Sequence, residues 1–159
     1  MSGIFISFRD QDEPGFAVLL HRELGRRFGF PEIFHSSTAI RAGDDFEARL
    51  LDGVLAARVL LAVIGTRWLT TPDPAGGRAI DSPSDWVRRE IATAFARGAC
   101  VVPILVNDAE RLTHADLPGD VDRLRRSQYL RLRHDNLDHD LDRIISELEP
   151  HLAGAVHRR

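Results

Sequence analysis

Apolar and polar positions follow two alternating rhythms along the chain. Short, nearly continuous apolar runs predict strands at Gly3 to Phe8 ("GIFISF"), Glu32 to Phe34, Val59 to Gly65 ("VLLAVIG"), Cys100 to Val106 ("CVVPILV") and Gln128 to Leu132. The third and fourth runs are rich in Val and Ile without alternation, as in strands covered on both faces. The second and fifth are shorter or broken by charge, which places them nearer the edges. Pro103 interrupts the fourth run and lacks an amide donor, so a bulge or a locally unpaired position is expected there.

Between the strands the spacing changes to that of helices. Phe16, Leu19, Leu20 and Leu24 make one apolar stripe, and Phe46, Leu50, Leu51, Val54 and Leu55 a second. In a third, Val87, Ile91, Ala94 and Phe95 face inward, Ser82 is the expected cap, Pro83 fits the first turn, Asp85 favours the positive helix end, and Gly98 supplies the stop. A weaker helix is expected near Asp120 to Arg125. The last is expected over Asn136 to Leu148, with Pro150 closing it and "AGAVHRR" frayed beyond. Strands alternating with helices predict an α/β fold: a flavodoxin-like three-layer sandwich on a five-stranded parallel sheet. One domain over residues 1–150 accounts for the chain, with 151–159 as a disordered tail. The long irregular stretch Thr66 to Ser84 is predicted to be functional or mobile.

Composition narrows the chemistry. A chain of 159 residues with 43% hydrophobic and 28% charged residues is ordinary for one globular domain. Its net charge of −3 offers no general attraction to nucleic acid or anionic membrane. No apolar run is long enough to span a bilayer and no signal-peptide pattern follows Met1, so the cytoplasm is the expected location. The single Cys100 excludes an internal disulfide. All 21 basic residues are Arg, so lysine chemistry is excluded.

Motifs for dinucleotide fingerprints, phosphate loops and nucleophile elbows are absent. Asp10 and Asp12 after the first strand suggest the acidic pair of a phosphoacceptor domain. The third strand ends in "IGTRW" without an acceptor Asp, and no lysine follows the fifth, which rejects that reading. In "HDNLDHD", His134 and Asp138 can share a helical face. No further ligand is spaced to complete a metal site, and acids at a helix start have a plainer reason to be there.

Trp86 and Glu90 stand four residues apart. At about 100° per residue they share one flank of the third helix, neither inward nor opposite. Such a shoulder can carry a carboxylate to a crevice beyond the carboxyl ends of the strands. The plainer alternative is a surface glutamate paired with Arg97 or Arg89.

Three segments in order strengthen the first reading. "IFISFRDQD", "IFHSSTAIRAGDDFEARL" and "DWVRREIATAFARGACVVPILV" resemble the first-strand box, the second strand with its BB loop, and the W-x-x-x-E helix of a Toll/interleukin-1 receptor (TIR) domain. The likeness runs from Ile4 to Leu148 and is to the bacterial, plant and axon-degeneration members that cleave NAD+. It implies Glu90 as the catalytic glutamate, with Trp86, Phe34, Arg9, Ser7 and Ser36 around the substrate. Ser36 departs from the Asp of many members. The resemblance also implies NAD+ as substrate rather than bound cofactor, no metal, and homotypic assembly through the BB loop at about residues 35–45. The implied activity is an NAD+ glycohydrolase, yielding ADP-ribose or a cyclic isomer, in bacterial defence or signalling; the alternative is a non-catalytic interaction module. A single carboxylate suits this chemistry. Oxygen glycosides need a second acid to protonate the leaving oxygen, whereas nicotinamide leaves a pyridinium without a proton.

Overall fold

The computed structural model describes residues 3–35, 43 and 45–156. Five parallel strands form one sheet in the order β2-β1-β3-β4-β5. They are β1 (Ile4–Ser7), β2 (Ile33–His35), β3 (Val59–Ile64), β4 (Cys100–Val106) and β5 (Leu130–Leu132). Helices α1 (Pro14–Phe28), α2 (Phe46–Ala56), α3 (Trp86–Ala96) and α4 (Leu137–Val156) cover it. Side-chain alternation along the strands divides the interior. Phe5, Leu60, Ala62, Ile64, Val101 and Leu105 face α2 and α3, where Leu50, Val54, Val87 and Ile91 meet them. Ile4, Ile6, Val59, Leu61, Val63 and Ile104 face α1 and α4, where Leu20, Leu24, Ile144 and Leu148 close the other layer. Both faces of β3 are buried, which explains its unbroken apolar run.

Pro103 causes no bulge. Its strand stays in register with β3 from Val59↔Cys100 to Ile64↔Leu105. Cys100 donates its amide towards β3, to the Arg58 carbonyl, and Asn107 donates towards β5, to Leu132. Pro103 has the parity of Asn107, so its missing donor faces β5. That strand pairs with β4 only from Ile104↔Leu130 onward. The proline sits where no ladder bond is required.

Several boundaries also differ from expectation. The cap of α3 is Asp85, not Ser82: its carboxylate accepts the Arg88 amide, and Ser82 and Pro83 lie before the helix. The stretch near Asp120 to Arg125 winds as a 3-10 segment, Gly119–Arg125. Helix α4 continues past Pro150 to Val156, because Leu152 is still buried with the α1-side core and rewards another turn.

Helix α2 approaches the sheet at Gly53. A Cβ there would stand 2.8 Å from the Phe34 ring, which is itself stacked on Phe5 with centroids 5.0 Å apart. Gly53→Ala is therefore expected to destabilise the fold by about 1–3 kcal/mol through overpacking, outweighing the roughly 1 kcal/mol that Ala contributes in a helix. Chemical denaturation measures the difference; a variant as stable as the parent would contradict the packing argument.

Candidate active site

The carboxyl end of β1, the irregular stretch that follows β3 and the starts of α2 and α3 border a cavity of about 470 Å3, within the roughly 300–1,000 Å3 usual for small-molecule sites. Glu90 lies in its lining. It is not on a solvated shoulder: only 4% of its surface is exposed, and it falls in the buried stripe of α3 with Val87, Ile91 and Ala94. The plainer pairing with Arg89 or Arg97 is not made. Arg89 bonds Glu47 at 2.6 Å, and Arg97 reaches the carbonyls of Val54 and Ala57. Glu90 accepts instead from the Ser7 hydroxyl at the end of β1, at 2.8 Å.

Burial pushes the Glu90 carboxyl up to about 8, and the neighbouring Asp85 adds to the rise. The Ser7 hydrogen bond and the Arg9 charge oppose it without cancelling it. In the unfolded chain the same group titrates near 4.5. Between those two values the folded protein keeps a proton that the unfolded chain has released. The stabilising contribution is therefore complete below about pH 4.5 and is lost as pH rises through about 8. Denaturant titrations of the parent and Glu90→Gln are expected to show the parent losing stability relative to the variant between pH 5 and 8. A constant difference would contradict the buried, neutral carboxyl.

Arg9 follows β1 and is 6% exposed. Its two terminal nitrogens meet both oxygens of Asp85 at 3.0 and 2.8 Å, and its guanidinium lies 5.2 Å from the centre of the Trp68 ring. Asp85 thus has two tasks, capping α3 and holding Arg9. Trp86 opens α3 and is half-buried. Its ring meets Phe46 edge-on, with centroids 5.1 Å apart, and carries the Arg89 guanidinium at 4.5 Å.

Of the residues predicted for the site, Glu90, Arg9 and Trp86 line the cavity. Ser7 is buried behind Glu90 and touches it. Phe34 is in the α2-side core and is not part of the lining. Ser36, with most of 35–45, lies outside the described residues. Sequence reasoning missed Phe46 and Asp85 as lining residues. The signal was present in "DDF" and "SDW", where an acid precedes an aromatic at the start of an apolar helical stripe.

The irregular stretch after β3 supplies a wall through Thr71, Pro72, Asp73, Pro74 and Ala79. It is tied down rather than loose. One Asp73 oxygen accepts the amides of Ala75 and Gly77, while Arg78 grips Asp81 and the Asp116 carbonyl. A second cavity of about 500 Å3 lies at the ends of β3 and β4 and contains none of the predicted residues. Among the described residues, no group of three His, Cys, Asp or Glu can hold a metal ion, and no helix is long and apolar enough to cross a membrane.

The sequence matches the family model for the TIR domain over residues 4–145. The chain belongs to the TIR domain family. Solved TIR domains share its fold. Those of the activated Roq1 resistosome directly recognizing the pathogen effector XopQ are 16% identical, with 78% of this chain and 68% of that one covered and a TM-score of 0.54. The TIR domain of the Toll-related receptor TRR-2 from Hydra magnipapillata is 12% identical over 99% of this chain and 97% of its own, with a TM-score of 0.50. No curated protein matches the chain. The TIR assignment fixes the fold and leaves the chemistry to the cavity.

Proposed function

We propose that this TIR domain is an NAD+ glycohydrolase in which Glu90 stabilises the ribosyl cation formed as nicotinamide departs. The observation that carries the reading is a buried carboxyl in the lining of a substrate-sized cavity, bonded to Ser7 and with no ion pair of its own among the described residues. The bonding pair of the C–N bond leaves with nicotinamide, whose ring thereby becomes neutral. Water then adds to the ribose and loses a proton to give ADP-ribose; attack by the adenine ring instead gives a cyclic isomer.

Glu90 must be ionised to help, although burial favours its neutral form. A pyridinium seated against it removes that conflict, because a neighbouring cation lowers a carboxyl's pKa. The substrate helps charge its own catalyst. Ser7 then holds the carboxylate in place, and Trp86 with Phe46 lines the cavity.

Activity is proposed to depend on homotypic assembly through the BB loop at about residues 35–45, in the cytoplasm and within a bacterial defence or signalling system. The test is chromatographic detection of nicotinamide from NAD+ with the protein concentrated or crowded. Release that rises more steeply than protein concentration is expected; none under crowding would overturn the enzyme. The second reading, a non-catalytic interaction module, is favoured by Phe46 and Leu55, both 48% exposed on α2. Equal behaviour of the parent and Glu90→Ala in every assay would support it.

A further inference from the structure

The second cavity has no part in the reaction proposed for Glu90. It lies at the carboxyl ends of β3 and β4, is bounded by residues from 64–70 and 108–115, and its volume of about 500 Å3 suits a small organic molecule. Both boundaries are fixed through their backbones. The Asp12 carboxylate accepts the amides of Gly65 and Arg67, and the Arg131 guanidinium grips the carbonyls of Asn107 and Ala109 at 3.3 and 2.7 Å. The charged side chains of the lining are not spent in the same way. Among the described residues, the carboxylates of Asp108 and Glu110 make no hydrogen bond or ion pair, and the Arg111 guanidinium meets only the Tyr129 ring, 5.0 Å from its centroid. Three charges thus border one preformed hollow without neutralising one another. The apolar part of the lining includes Ile64 and Leu112, both buried, and half-buried Leu69.

These groups select a ligand by its charges. Among the described residues, Asp108, Glu110 and His114 do not converge into a metal site, so the lining addresses a molecule rather than an ion. A phosphate ester answers Arg111 alone and brings its negative charge beside two unpaired carboxylates. A simple amine answers the acids and leaves the guanidinium without an anion. A zwitterion with an apolar side chain answers all three. Its carboxylate can take paired bonds from Arg111, its ammonium has three donors for the acids, and its side chain covers Ile64, Leu69 and Leu112. We infer that the second cavity is a ligand site for a zwitterionic α-amino acid with a large apolar side chain.

The test uses the full chain with L-phenylalanine as the probe, beside phenethylamine, which lacks the carboxylate, and hydrocinnamate, which lacks the amine. Heteronuclear amide NMR titration is expected to move the signals of Thr66, Leu69, Asp108 and Leu112 and to leave those of Phe46 and Trp86, which line the first cavity, in place. A Kd of about 1 mM or below is expected for a ligand of this size. Arg111→Gln should weaken phenylalanine at least about fivefold and phenethylamine by less than about twofold, the coupling that a paired contact requires. Asp108→Asn combined with Glu110→Gln should weaken both amines and spare hydrocinnamate. Shifts confined to the first cavity, tighter binding of adenosine monophosphate than of phenylalanine, or equal losses of phenylalanine and phenethylamine on Arg111→Gln would each overturn the inference. The absence of a saturable shift up to about 10 mM would overturn it as well. None of these readouts involves turnover, so they hold or fail independently of Glu90.

Discussion

Glu90→Gln is expected to lower nicotinamide release from NAD+ by about 10²- to 10³-fold, the usual effect of removing one positioned electrostatic group from a water-poor site. The amide has the carboxyl's shape and still accepts from the Ser7 hydroxyl, so the fold survives. At neutral pH it also reproduces the charge of the resting side chain, which burial holds largely protonated. What the amide cannot do is become an anion when the ribose becomes a cation. The pH profile separates this from a steric effect. For the parent, kcat/KM is expected to rise with pH through about 8 as the free protein's Glu90 ionises. The limb in kcat should lie lower, because bound pyridinium favours the carboxylate. Residual activity in the variant should lack both limbs. A variant within threefold of the parent would remove Glu90 from the chemistry.

Asp12→Ala carries the largest expected effect on stability. Asp12 is almost fully buried and joins the loop after β1 to the turn after β3. Its two oxygens accept the amides of Gly65 at 2.6 Å and Arg67 at 2.9 Å, and Arg67 returns a bond to the Asp12 carbonyl at 2.8 Å. Gly65 is needed for this approach, since a Cβ there would lie 2.5 Å from the carboxylate. Removing the side chain strands two amide donors at about 1–3 kcal/mol each. A loss of about 3 kcal/mol, or about 6–12 °C in Tm, is expected. Asp12→Asn retains one acceptor and should fall between. The turn also carries Trp68, on which Arg9 rests, so substrate affinity should weaken at temperatures where the variant remains folded. A change below about 0.5 kcal/mol would be that of an ordinary surface residue and would refute the latch.

The sheet was legible because its central strands are buried on both faces and so are written as unbroken apolar runs. Helix ends were less legible because caps depend on which acid the backbone reaches. Ser82 and Pro83 have the right residue types, yet the chain turns into α3 only at Asp85, three residues later. Pro150 reads as a stop on local grounds, and the burial of Leu152 overrides it. For the site, Glu90 and Trp86 were visible from spacing and resemblance, but helical geometry alone set Glu90 on a flank. Its buried setting is a tertiary one, marked by the hydrogen bond from Ser7, 83 positions away in sequence. Arg9 was expected to meet substrate; its commitment to Asp85 is a tertiary contact that no local pattern encodes. Asp12 was visible as an acid and not as a latch, because its amide partners belong to another loop.

The sheet ends on either side in a strand of three residues, Ile33–His35 and Leu130–Leu132. So short an edge offers an incoming chain few free ladder groups, and brief edges are one way folds discourage unwanted strand addition. Copies that gather must then meet through helices and loops. Their association should leave the amide-exchange rates of the Leu130–Leu132 border unaltered while slowing exchange at the docking surfaces.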